Sequence, residues 1–305
     1  MTETILRSFG QGTKPLLIIH GGAGHRSTPL TPDGTTSAHA ALEKVLTAGY
    51  SVLSAGGSAV DAVVAAVREL EDAPDFNAGH GAALTASGTV ELDASIMAGD
   101  GRSGAVTGVS TARNPISVAR AVMDKTDHLL FATPTHEQLS KWDVETVDPE
   151  YFITEKRREE LAAFQKQPDA LLQHGTVGAV ARDADGNLAA ATSTGGIVNQ
   201  EPGRVGDTPL VGAGTFADDG TVAVSCTGTG EVFMTEVAAH SVHDRVSLGG
   251  ASPNEAAVAV LDRIAIRGGM GGMIVIPTSG TGLAAYNSGD MFYGSFDSTG
   301  TYTHV

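Results

Sequence analysis

The pattern of apolar and polar positions changes character near residue 176. Before it, Leu16-Leu17-Ile18-Ile19 is a short apolar run stopped by His20-Gly21-Gly22-Ala23-Gly24, which predicts a buried strand followed by a glycine loop. A helix is expected over about Thr36 to Leu53. A second starts at Ser58 with Asp61 as its capping partner, and Val60, Val63, Val64, Val67 and Leu70 recur on one face at helical spacing. Leu70 to Gly81 has no period and is dense in turn formers. Glu91 to Ile96 alternates as a strand does, and Gly104 to Val109 reads as another. Asn114 then caps a helix that has Pro115 at its first position. Phe152 to Gln167 is a polar helix, and residues 168–175 form an exposed linker.

Beyond Thr176 the texture is of strands joined by short turns. VGAVARD, a turn at Asp185-Gly186 and NLAAATS form a hairpin. PLVGAGTFADD, a turn at Gly220 and TVAVSCTGTG form a second pair. Helices are expected from Glu231 to Val246 and from Ser252 to Ile266, the latter opening with Ser at the N-cap, Pro at N1 and Glu at N3. GGMIVIP, GTGLAAYNSG and MFYGSF return to strands. Helices, strands, helices and strands in that order predict sheets with helical layers on their faces. The pattern leaves the strand order open.

Length and composition narrow the classes. A chain of 305 residues can bury a large core, in one domain or two. No run of 18 apolar residues exists, so no membrane span is expected, and MTETILRSFGQGTKP lacks the pattern of a secretory signal. The single Cys226 excludes an intrachain disulfide and fits a reducing, cytoplasmic compartment. A net charge of −16 argues against a nucleic-acid partner, since neutralising phosphates needs a basic face. The glycine loop after the first strand matches neither GxGxxG nor GxxxxGK[ST], so nucleotide binding has no further support.

Candidate chemistry gathers around Gly175-Thr176. A threonine opening a strand after a glycine suits a residue that becomes a chain terminus. If the Gly175–Thr176 bond were cut, Thr176 would carry a nucleophilic hydroxyl beside an α-amine of reference pKa about 7.7–8.0, able to act as its base. Three polar clusters follow: Ser193-Thr194-Gly195-Gly196, Gly203-Arg204-Val205-Gly206-Asp207, and Thr227-Gly228-Thr229-Gly230. Singly, each has an ordinary explanation: Thr176 opens a strand, Arg204 and Asp207 form a surface ion pair, and the Thr/Gly runs are turns. Together they supply what an amide hydrolase acting on an amino acid needs. Arg204 would hold an α-carboxylate bidentately and Asp207 an α-ammonium. Thr227 and the Gly228 N–H would donate to an oxyanion, and Thr194 would orient the Thr176 amine.

HGTVGAVARD, AAATSTGGIVNQEPGRVGDTPLVGAG and AVSCTGTGEVF resemble the β-subunit of the plant-type asparaginase/isoaspartyl peptidase family of N-terminal-nucleophile hydrolases. HGGAG, FNAGHGAALTASGTVELDASIMAG and NPISVARAVMDKTDHLLFA are similar to its first half, so the likeness runs from about residue 16 to 250. His80 and Ala82 depart from the basic residue and serine common in the family, and YNSGDMFYGSF from its usual tail. The resemblance implies an α/β four-layer αββα sandwich and autocatalytic cleavage into an α-subunit, 1–175, and a β-subunit, 176–305, folded together as one domain. It implies Thr176 as nucleophile, Thr194 beside its amine, Arg204 and Asp207 on the substrate, Thr227 and Gly228 as oxyanion hole, and Thr229 and Gly230 lining the pocket. The loop bearing Leu70, Phe76 and Ala78 would bind a structural sodium ion through backbone carbonyls, with no cofactor for the chemistry. The implied substrates are L-asparagine and β-aspartyl dipeptides, and the implied assembly is a dimer of α–β heterodimers. A glycosylasparaginase, or an uncleaved non-catalytic ligand-binding protein, are the alternatives.

Overall fold

A computed structural model describes residues 3–24, 30–167 and 175–305. Most of the expected linker, 168–174, lies outside the described residues. The rest folds into two facing sheets between two helical layers. The five-stranded sheet has the order β1 (Ile5–Phe9), β11 (Gly282–Tyr286), β10 (Gly271–Pro277), β9 (Val222–Gly228) and β8 (Thr215–Ala217). The eight-stranded sheet has the order β13 (Gly300–His304), β12 (Asp290–Asp297), β2 (Leu16–Gly24), β6 (Val177–Arg182), β7 (Leu188–Thr194), β3 (Leu92–Ala98), β4 (Ser103–Val109) and β5 (Leu130–Ala132). Among the described strands only β4 and β5 pair in parallel.

Helices α1 (Pro32–Ser54), α2 (Ala59–Asp72) and α3 (Pro115–Lys125) cover the outer face of the larger sheet. Two short polar helices, α4 (His136–Lys141) and α5 (Glu155–Lys166), follow α3. Helices α6 (Gly230–Glu236), α7 (Ala238–Ser247) and α8 (Pro253–Ile266) cover the smaller sheet. Three cores result. Leu42, Val63 and Val67 pack helices on the large sheet, Ile18, Val180 and Ile274 fill the space between sheets, and Val224 and Leu261 pack the outer helices on the small sheet. This is the four-layer αββα arrangement.

The expected helix caps form where a side chain can reach its target. Ser58 accepts from the Asp61 N–H, and Ser252 and Glu255 close a capping box. Asn114 makes no such cap bond, because its amide turns instead to the Arg68 carbonyl and Asp72. The stretch expected as one helix from Glu231 is two, broken at Val237, whose φ of 48° is left-handed. The glycines of HGGAG are not a loop: β2 runs through Gly24 because β12 pairs alongside it, with Met291 opposite Ala23. PLVGAG contributes no named strand, and β8 is only Thr215–Ala217.

Strands from the two sides of Gly175 interleave. β6 lies between β2 and β7, and β7 pairs with β3, so the end of β7 and the starts of β3 and β6 meet at one rim. The packing behind that rim is tight. A Cβ on Gly104 of β4 would sit 2.6 Å from the Met123 backbone nitrogen and would collide with the Ala119 carbonyl of α3. Both neighbours are helix backbone and have little room to yield. We therefore expect Gly104→Ala to destabilise by about 1–3 kcal/mol, read as a lowered denaturant midpoint with an unchanged m-value.

Candidate active site

The site forms where strand ends converge. Thr176 precedes the first paired residue of β6, Thr194 ends β7, and Gly228 ends β9 of the facing sheet. With Gly175, Arg204 and Asp207 they line one small cleft. Gly228 has a φ of +151°, and a Cβ there would lie 2.7 Å from the Gly271 Cα and collide with the Met270 carbonyl. Only glycine lets the chain turn its backbone to the cleft at this strand end.

The Gly175 carbonyl, on the peptide bond to Thr176, is held by two donors. Asn77 Nδ2 donates to the Gly175 oxygen at 2.7 Å, and the Thr194 hydroxyl donates at 3.1 Å. Thr176 Oγ1 lies 3.3 Å from Thr194 Oγ1, and Thr194 Oγ1 also accepts from the Gly196 N–H. Asn77 is itself fixed at both ends, since its amide also donates to the Gly196 carbonyl and its oxygen accepts from the Ala83 N–H. The Gly175 carbonyl is thus polarised by two donors that the fold orients.

Across the cleft, Arg204 Nε donates to Glu231 Oε1 at 3.0 Å, while its terminal nitrogens pass over Gly206 and Gly230. A Cβ on Gly230 would lie 2.9 Å from Arg204 Nη2 and 3.0 Å from Asp207 Oδ1. The glycine that opens α6 therefore makes the space in which this cation and anion face the cleft. Asp207 Oδ2 is buried with no hydrogen-bond partner among the described residues. Burial pushes the Asp207 carboxyl up to about 7 against the pull of Arg204, and Glu231 and Asp93 push it further. An unpaired buried carboxylate at a cleft is a receptor for a cationic group.

The remaining expected residues are placed as follows. Thr227 is fully buried, and its oxygen accepts from the Ala23 N–H of β2. Thr229 turns away from the cleft and exchanges hydrogen bonds with Met270. Leu70, Phe76 and Ala78 are buried at the end of α2 and in the turn after it.

Over residues 13–305 the chain matches the sequence model of a family described as asparaginase. It is 44% identical over 294 residues to the isoaspartyl peptidase of Escherichia coli (strain K12), spanning 92% of each chain. It is 42% identical over 285 residues to the isoaspartyl peptidase/L-asparaginase of Bos taurus, spanning 91% of each. The chain belongs to this asparaginase family.

Within this asparaginase-family site, the structure adds residues that sequence patterns did not single out. Asn77 lay in the turn-rich stretch after α2, where nothing marked its amide as aimed at Gly175. Glu71 is fully buried at the end of α2. It accepts from the Ser193 hydroxyl at 2.6 Å and from the Ile116 N–H at 2.9 Å, and burial raises its pKa to about 8. Asp93 accepts from the Thr107 hydroxyl and the Gly108 N–H, and burial raises its pKa to about 6. Strand register brings Asp93 opposite Thr194, and Asn77 and Glu71 reach partners distant in sequence, neither of which a local pattern carries.

Proposed function

We propose that this asparaginase-family chain cuts itself between Gly175 and Thr176, then hydrolyses the side-chain amide of L-asparagine and the isopeptide bond of β-aspartyl dipeptides. The supporting observation is the convergence of Thr176, Thr194, Arg204 and Asp207 on one cleft, with Asp207 Oδ2 left unpaired.

In the first reaction Thr176 Oγ1 attacks the Gly175 carbonyl that Asn77 and Thr194 polarise. The C–N bond breaks, the acyl group passes to Oγ1, and the nitrogen becomes the Thr176 amine. Water then hydrolyses the ester, leaving a Gly175 carboxylate. In the second reaction that amine, close to the Thr194 hydroxyl, takes the proton of Oγ1, and Oγ1 attacks the substrate's side-chain carbonyl. The Gly228 N–H and the Thr227 hydroxyl stabilise the oxyanion. The leaving amine departs with the proton, and water releases L-aspartate from the β-aspartyl ester.

We propose a structural sodium ion in the turn after α2. Oxygens of Pro74 and Phe76 both approach the point where a Gly81 Cβ would lie, at 2.8 and 3.1 Å. Carbonyls of Leu70, Phe76 and Ala78 would hold the ion, and it would stiffen the turn that presents Asn77. We also propose the dimer of α–β heterodimers as the working assembly, checked by sedimentation of the matured protein.

A substrate panel tests the reading. Arg204 and Asp207 inspect only the α-carboxylate and α-ammonium, so asparagine and β-Asp-Leu should both react. Glutamine places its carbonyl one methylene too far and α-Asp-Leu exchanges carboxylate and amide, so both should react at least about 100-fold more slowly. Comparable rates on glutamine and asparagine would refute the assignment of these two residues.

A further inference from the structure

Between the two sheets lies a line of polar side chains that neither reaction above uses. His20 of β2 is fully buried, with Nδ1 2.9 Å from the Thr176 carbonyl oxygen and Nε2 2.9 Å from Ser225 Oγ. Ser225 Oγ lies 2.7 Å from Thr192 Oγ1, which lies 2.5 Å from Thr215 Oγ1. Ser95 Oγ then bridges Thr215 Oγ1 at 2.8 Å and the Thr208 carbonyl oxygen at 2.5 Å. Room for the first link comes from β6, where a Cβ on Gly178 would collide with Ser225 Oγ and crowd His20 Nε2. The line thus runs from the backbone of Thr176 to the residue after Asp207.

The line has fewer protons than contacts. Both ends of the line are carbonyl oxygens, which only accept. Its six contacts and the 3.3 Å contact of Thr192 Oγ1 with the Gly214 carbonyl oxygen would take seven protons, whereas a neutral imidazole and four hydroxyls carry five. Burial holds the ring's pKa down to about 3, so it is neutral and supplies only one. The Thr176 carbonyl requires the ring proton on Nδ1, which leaves Nε2 bare to accept from Ser225. Two contacts in the interior of the line then have no proton.

Once Gly175 is released, Thr176 loses the peptide bond that fixed its nitrogen side, and the ladder of β6 begins only at Val177. The carbonyl is then the remaining backbone anchor of the residue that carries both base and nucleophile, beside the contact of Oγ1 with Thr194. We propose that His20 is a positioning residue for Thr176, holding its carbonyl as the neutral Nδ1–H tautomer and coupling it through Ser225, Thr192, Thr215 and Ser95 to the backbone beside Asp207. This rests on the reading of Thr176 as nucleophile.

Three measurements on the full-length matured protein test it. ¹⁵N-histidine NMR should find the His20 ring with Nδ1 protonated and Nε2 bare. His20→Asn puts an amide nitrogen at the place of Nδ1, whereas His20→Gln puts it at the place of Nε2. The Gln variant should therefore lose about tenfold or more in kcat with KM nearly unchanged, and the Asn variant much less. Thr215→Val removes one hydroxyl and two contacts, which narrows the proton shortfall from two to one. It should keep the wild-type Tm and kcat while raising KM for asparagine severalfold. A proton on Nε2, equal kcat in the Asn and Gln variants, or an unchanged KM in Thr215→Val would overturn the proposal. Should the His20 variants fail to fold, the tautomer in the wild type and the Thr215→Val kinetics still decide it. Wild-type protein inactive on both asparagine and β-Asp-Leu would instead refute the functional reading, and the NMR result would stand separately.

Discussion

Replacing Arg204 by alanine should lower kcat/KM for L-asparagine roughly 30- to 4000-fold, equivalent to about 2–5 kcal/mol. Its side chain is only 17% exposed and already shares Glu231, so removing it leaves that carboxylate beside the cleft with no cation to receive a substrate carboxylate. Arg204→Lys should recover little, because a lysine offers a point charge where a carboxylate needs a planar fork. Asp207→Asn should cost a similar amount and should also change the pH profile. The Asp207 carboxyl titrates at about 7 in the free protein, and only the ionised form pairs with an ammonium. Hence kcat/KM should fall as pH drops through about 7, and asparagine-bound protein should show that limb at lower pH because the ammonium favours the charged form. In Asp207→Asn this limb should vanish, leaving only that of the Thr176 amine. Wild-type kcat/KM in Arg204→Ala, or the same acid limb in Asp207→Asn, would remove these residues from substrate binding.

Thr176→Ala should abolish both reactions. With no Oγ1 there is no N→O shift, so the chain should stay at 31.0 kDa. Activity should fall by on the order of 10⁴-fold or more, as when a nucleophile is deleted. Thr176→Ser keeps a hydroxyl next to the same donors and should still cut. Asn77→Ala should slow cutting, since it removes the shorter of the two bonds on the Gly175 carbonyl. Cleavage of Thr176→Ala at the same bond would mean that another agent does the cutting.

Much of this was legible in the chain because local chemistry carried it. The period of Val60, Val63, Val67 and Leu70, the Ser252 capping box and the hairpin turn at Asp185-Gly186 all need only neighbours in sequence, and all appear. The clusters around Thr176, Thr194, Arg204 and Gly228 stood out because each packs small and polar residues at a strand end or in a loop. What was missed depends on distant partners. HGGAG reads as a loop by composition, but β12 recruits it into the sheet from the other end of the chain. β1 and β13 are short, mostly exposed edge strands with little apolar pattern to announce them. The break at Val237 goes against propensity, as a β-branched residue is among the least suited to a left-handed conformation. Asn77, Asp93 and His20 matter through contacts 98, 101 and 156 residues away, and such contacts leave no local signature.

The central claim is that activity belongs to Thr176 only after its amine is free. The most direct measurement follows freshly made wild-type protein by intact mass and asparagine hydrolysis in the same samples. Fragments 1–175 and 176–305 should replace the full chain, Thr176 should be the new N-terminus, and activity should rise in proportion to them. Full activity in samples that still contain only the uncut chain would contradict the claim.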